Sequence, residues 1–97
     1  MNNKAQFTPG PWVVTEHSAG MICVAGPNNK DLCAVGYNRT EGRNDVANAT
    51  LIAAAPVMYA DLCAVRDYLF ELYDEGNAKA GEYAASLGIT IEQAEGR

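Results

Sequence analysis

The stretch NDVANATLIAAAPVM, Asn44 to Met58, constrains the fold more than any other part of this chain. It is too short to cross a bilayer, which takes about 18 consecutive apolar residues. It is also too rich in alanine for an ordinary strand, and alanine is the strongest helix former, so the segment reads as a helix. Asn44 or Asp45 is placed to cap its first turn. From Val46 onward apolar residues crowd nearly every side, and a helix of that kind is expected to be buried over most of its circumference. Pro56 has no N–H to donate to the preceding turn, so the helix stops, bends or restarts there.

Upstream, FTPGPWVVTE places Pro9, Gly10 and Pro11 before Trp12, Val13 and Val14, an extended entry to a strand at a sheet edge. HSAG reads as a turn, MICVA (Met21 to Ala25) as a second strand, GPNNKD as a loop and LCAVGY (Leu32 to Tyr37) as a third strand. The expected unit is an antiparallel meander of three to four strands over about residues 11–37. If Ala25 faces Leu32, then Ile22, Val24, Cys33 and Val35 share the core face, with Cys23, Ala34 and Leu32 on the other. A one-residue shift instead sets Cys23 opposite Cys33.

Downstream of Pro56, the residues Met58, Leu62, Val65, Leu69 and Leu72 recur in a heptad stripe, widened by Tyr59, Cys63, Phe70 and Tyr73. This arc exceeds what one small sheet can cover, which points to self-association through the helix and a homo-oligomer. Gly76 is a plausible C-cap, and a weaker helix ends at Gly88, with Thr90 to Gln93 offering a capping box. The expected architecture is α+β: one domain in which the meander packs on two or three helices at about 45–55, 57–75 and 78–87, followed by a short tail. EYAASLGITIEQA has the outline of a helix-turn-helix, but its second helix would be short and acidic, which is wrong for a recognition helix.

Charge narrows the function. Twelve acidic against seven basic residues give a net charge of −5, a field that repels phosphate backbones, so direct DNA binding is not expected. The acidic residues are spread over the helical half, where Asp67, Glu71 and Asp74 form a candidate face for a basic partner. Three cysteines without metal-type spacing, together with a start lacking a signal-peptide core, fit a protein of a reducing cytoplasm.

Chemistry is sparse. His17 is the sole histidine. With Cys23 and Cys33 it reaches three zinc ligands only if the strands cooperate, so neither a metal nor another cofactor is expected. A Cys–His dyad would use thiols set among apolar neighbours, where they are usually inert, and Asp74 and Glu75 point about 100° apart on a helix, so no enzyme is expected. One group suits a small anion: Tyr37, Asn38, Arg39 and Arg43, just before the N-terminus of the alanine-rich helix, where free N–H groups and the helix dipole favour negative charge.

Two pieces together, FTPGPWVV (Phe7 to Val14) and NATLIAAAPVM (Asn48 to Met58), resemble a family of small phage and prophage proteins with a T-P-G-P-W opening and an N-A-x-L-I-A-A-A-P-x-L/M centre. The likeness covers roughly residues 7–65; VMYADL departs from the family's acidic-leucine continuation, and the tail beyond Gly76 lies outside it. The resemblance implies a phage-borne accessory protein that works by binding, as a counter-defence inhibitor of a host immune protein such as a CRISPR component. The alternative is an oligomeric sponge for a nucleotide immune signal, a cyclic nucleotide or an ADP-ribose derivative, held at Tyr37, Asn38, Arg39 and Arg43.

Overall fold

The computed structural model describes residues 6–37 and 44–96. Three strands, β1 (Val13–Glu16), β2 (Ile22–Ala25) and β3 (Asp31–Gly36), precede three helices, α1 (Asp45–Ala53), α2 (Ala55–Asp74) and α3 (Ala78–Ala94). The protein is α+β, with an antiparallel sheet in the order β1-β2-β3. The chain divides into two compact units, one of Thr8–Val57 and one of Met58–Arg97 with Met1–Phe7.

In the first unit β2 is central and wholly buried. Alternation sends Ile22 and Val24 to one face, where they meet Ala49 of α1, flanked by Trp12, Val14, Val35 and Ala53. Trp12 is half-buried, and its indole N–H donates to the Thr8 carbonyl at 3.0 Å, so the ring enters the core edge without an unsatisfied donor. Cys23 pairs with Ala34 and Val24 with Cys33, so Cys23 does not face Cys33. The ends of this pairing slip by one: Ala25 stands opposite Asp31, not Leu32. The Gly26 N–H closes on the Lys30 carbonyl at 2.9 Å, so the loop sets one register while the apolar face sets another, and the irregularity between Val24 and Ala25 absorbs the difference. Cys33 belongs to the core face by alternation but is exposed on its edge strand.

Asn44 caps α1, its side chain accepting from the Ala47 N–H at 2.9 Å. The expectation that this helix is buried on most sides is corrected by the structure. Only Asp45 and Ala49 are fully buried, whereas Val46 and Ile52 are exposed and Leu51, on the side away from the sheet, is 62% exposed. α1 docks on one face of the three-stranded sheet through its small residues Ala49 and Ala53, so only that side of the helix is covered. The helix breaks at Ala54, two residues before Pro56. Pro56 then occupies the second position of α2, where a missing N–H removes no helical bond.

In the second unit α2 ends in a Schellman closure: the Gly76 N–H bonds the Tyr73 carbonyl and the Asn77 N–H the Leu72 carbonyl, with Gly76 at φ 107°. Asn77 caps α3 through the Ala80 N–H at 3.1 Å. The third helix does not stop at Gly88. It runs on to Ala94, and Thr90, rather than opening a capping box, turns its hydroxyl back to the Ser86 carbonyl. A helix-turn-helix needs a break here, and α3 has none. Tyr59 of α2 donates to the Glu95 carboxylate, while the Tyr73 ring lies on Gly81. Fourteen residues forward along α2 thus match fourteen backward along α3, and the pair is an antiparallel hairpin. The Phe7 ring meets Tyr59 edge-on at 5.0 Å.

Candidate functional site

Two regions carry the side chains able to recognise something. The first is the outer surface of α2, twenty residues of which none is fully buried. Five of its half-buried residues, Tyr59, Leu62, Cys63, Arg66 and Leu69, lie on one side of the helix, the side that carries the Tyr59–Glu95 bond. At about 100° per residue, Met58, Val65 and Tyr68 centre about 110° to one side of that direction, and Asp67, Glu71 and Asp74 about 110° to the other. Met58, Val65 and Tyr68 are 44%, 48% and 59% exposed, and all three carboxylates are exposed. The predicted heptad stripe is therefore divided: Leu62, Leu69 and Leu72 are half-buried, while Met58 and Val65 remain outside. Asp67 is engaged by Arg66 at 3.0 Å, an exposed pairing that leaves the acidic edge in water. Tyr68 was not among the residues singled out in the sequence, although its offset of three from Val65 places it on the same edge.

The second region lies in the other unit, on the face of the sheet away from α1. His17 follows β1, Cys23 sits in β2 and Asp31 opens β3. Both connecting turns use left-handed backbone: Ala19 at φ 68° and Gly20 at 79° in the first, Asn28 at 71° and Asn29 at 59° in the second. Asparagine and glycine accept this region readily, but alanine does so at a cost of roughly 1 kcal/mol. The first turn is closed by the His17 N–H on the Met21 carbonyl and the Gly20 N–H on the His17 carbonyl. These turns bring His17 Nε2 to 3.1 Å from Asp31 Oδ2 and 3.5 Å from Thr15 Oγ1. Cys23 lies beside the pair, fully buried, with its sulfur within 4.8 Å of both partners' donor atoms. Burial, and then the Asp31 charge, push the Cys23 thiol up from its usual range, which makes it a poor nucleophile. Asp31 also borders a cleft of about 500 Å³ with Thr8, Gly26, Asn28 and Lys30.

The sequence led to no expected metal site at His17, Cys23 and Cys33; the structure sets His17 beside Cys23 with Asp31, not Cys33, as the third member. The available signal was the loop register: opposite Ala25, Asp31 is one diagonal step from Cys23. Of the predicted anion-binding group, Tyr37 is exposed beyond the end of β3, and Asn38, Arg39 and Arg43 lie outside the described residues.

Fold and surface together define a small α+β protein whose longest helix leaves an apolar edge and an acidic edge in solvent. No single helix among the described residues is long and apolar enough to cross a membrane. The whole chain, residues 1–97, matches the family model described as Salmonella phage P22 protein Y8K6, and the chain belongs to that family of phage proteins. No curated protein and no solved structure matches it.

Proposed function

We propose that this phage accessory protein acts by binding and not by turnover, inactivating a host defence protein such as a CRISPR or other anti-phage component, and that it does so as a homo-oligomer. The observation that carries the reading is the outer surface of α2, where Met58, Val65 and Tyr68 are left in water on a helix with no fully buried residue. Large apolar side chains left exposed on one helix edge suit an interaction site, and the exposed Asp61 among them supplies a polar point within it. The apolar edge suits a second copy of the chain, and the acidic edge of Asp67, Glu71 and Asp74 suits a basic surface. Proteins that grip nucleic acid present basic surfaces of that kind.

The test uses the full chain. Light scattering at micromolar concentration is expected to give a multiple of 10.4 kDa, falling to the monomer in Met58→Glu/Val65→Glu. Capture of a host defence protein, identified by mass spectrometry, is expected to fall when Asp67, Glu71 and Asp74 are all changed to Lys. A monomeric wild type removes the oligomer, and undiminished capture by the charge-reversed chain removes the acidic contact.

A further inference from the structure

His17, Cys23 and Asp31 offer an imidazole nitrogen, a thiol sulfur and a carboxylate oxygen, and these three donor atoms all lie within 4.8 Å of one another. Each comes from a different strand or its end, so no two are neighbours in sequence and the sheet alone brings them together. Around a tetrahedral zinc-type ion, with bonds of about 2.0 Å to nitrogen and oxygen and about 2.3 Å to sulfur, donor atoms stand roughly 3.3–3.6 Å apart. The His17–Asp31 separation of 3.1 Å is about 0.2 Å short of that spacing, so the two side chains need only part slightly to admit an ion. The sulfur lies within 4.8 Å of both other donors, so binding an ion draws it inward by about 1 Å at most.

We propose that His17 Nε2, Cys23 Sγ and one Asp31 carboxylate oxygen bind a single divalent ion of the zinc class. Thiolate, imidazole and carboxylate together select a borderline-soft ion over magnesium or calcium, which take all-oxygen shells. Binding forms a metal–sulfur bond at the expense of the Cys23 S–H bond, and the proton leaves to solvent. The buried sulfur forms the floor of the site, and the His17 and Asp31 side chains, 44% and 42% exposed, form its mouth. Three protein ligands leave a fourth position open to water. The left-handed Ala19 and Gly20 hold His17 in its turn over the sheet before any ion arrives, so the site is assembled in the fold itself.

Cobalt(II) titration of the untagged, metal-free full chain tests this. A one-to-one endpoint with a sulfur-to-cobalt charge-transfer band is expected, retained in Cys33→Ser/Cys63→Ser and lost in Cys23→Ala. Because Cys23 is buried and its replacement can disturb the sheet, His17→Gln and Asp31→Asn, both at exposed positions, provide independent readings. Each is expected to weaken zinc binding about tenfold or more by calorimetry, with an unchanged circular dichroism spectrum. A missing charge-transfer band in the wild type, a band that follows Cys33 or Cys63, or zinc affinity unaltered in both His17→Gln and Asp31→Asn would overturn the assignment.

Discussion

Gly10 lies directly against Pro56: a β-carbon at Gly10 would stand 3.1 Å from Pro56 Cβ and 3.4 Å from Pro56 Cγ. Two segments far apart in the sequence, the proline-flanked entry to β1 and the start of α2, therefore touch in the fold. A pyrrolidine ring cannot rotate aside as a flexible side chain does. Gly10→Ala is expected to lower stability by about 1–2 kcal/mol through overpacking. Urea unfolding checks this, and a midpoint equal to the wild type would show that the contact has room to give.

Two glycines inside α3 should respond in opposite ways. Nothing lies within 4 Å of a β-carbon at Gly88, so Gly88→Ala is expected to gain about 1 kcal/mol from helix propensity. At Gly81 the same carbon would overlap Tyr73 Cδ1 and sit 2.8 Å from Cε1, so the ring must move and the gain is cancelled or reversed. Thermal unfolding of both variants separates the effects; equal gains would mean that Tyr73 does not rest on Gly81.

Tyr59 makes the helical hairpin sensitive to alkali. Its bond to Glu95, then burial, then Cys63 raise the phenol above its usual range near 10. The folded chain keeps a proton that the unfolded chain gives up above about pH 10, so this contribution is complete below that pH and is lost as pH rises beyond it. Tyr59→Phe is expected to cost about 1.5 kcal/mol at neutral pH and to flatten the loss of stability between about pH 9 and 11. Denaturant unfolding across that range, with parallel slopes in wild type and variant, would contradict the assignment.

The three thiols should react in order of access. Cys33 is exposed, Cys63 half-buried and Cys23 fully buried with a raised thiol pKa. Alkylation followed by mass spectrometry is expected to label Cys33 first and Cys23 last, the latter about tenfold or more slowly. Labelling of Cys23 at the rate of Cys33 would show that the sheet face over it is open.

The α+β architecture was legible because its signals are local. Gly76 ends α2 through its own backbone geometry, Asn44 caps α1 through a side chain three residues from its target, and the short β-rich apolar run Ile22 to Ala25 marks a strand. The errors arose where a local signal met a nonlocal one. Gly88 and Thr90 read as a helix end, yet Ile91 is fully buried one turn further on, and its packing carries α3 through both. The extent of burial around α1 depends on how many surfaces surround it, a quantity no helical pattern contains. Asp31 entered the polar cluster because the Gly26–Lys30 closure shifts the register by one, a contest between loop and core that is resolved only in three dimensions.

Leu51 points away from the sheet, and the first unit closes its interior on Ile22, Val24 and Ala49 without it. Scaffold and exterior are thereby uncoupled: residues on the outside can change identity while Ile22, Val24 and Ala49 keep the fold. Substitution at Leu51 and its outward neighbours thus leaves the seam between β2 and α1 intact, and the surface of this unit is free to diverge while its frame persists.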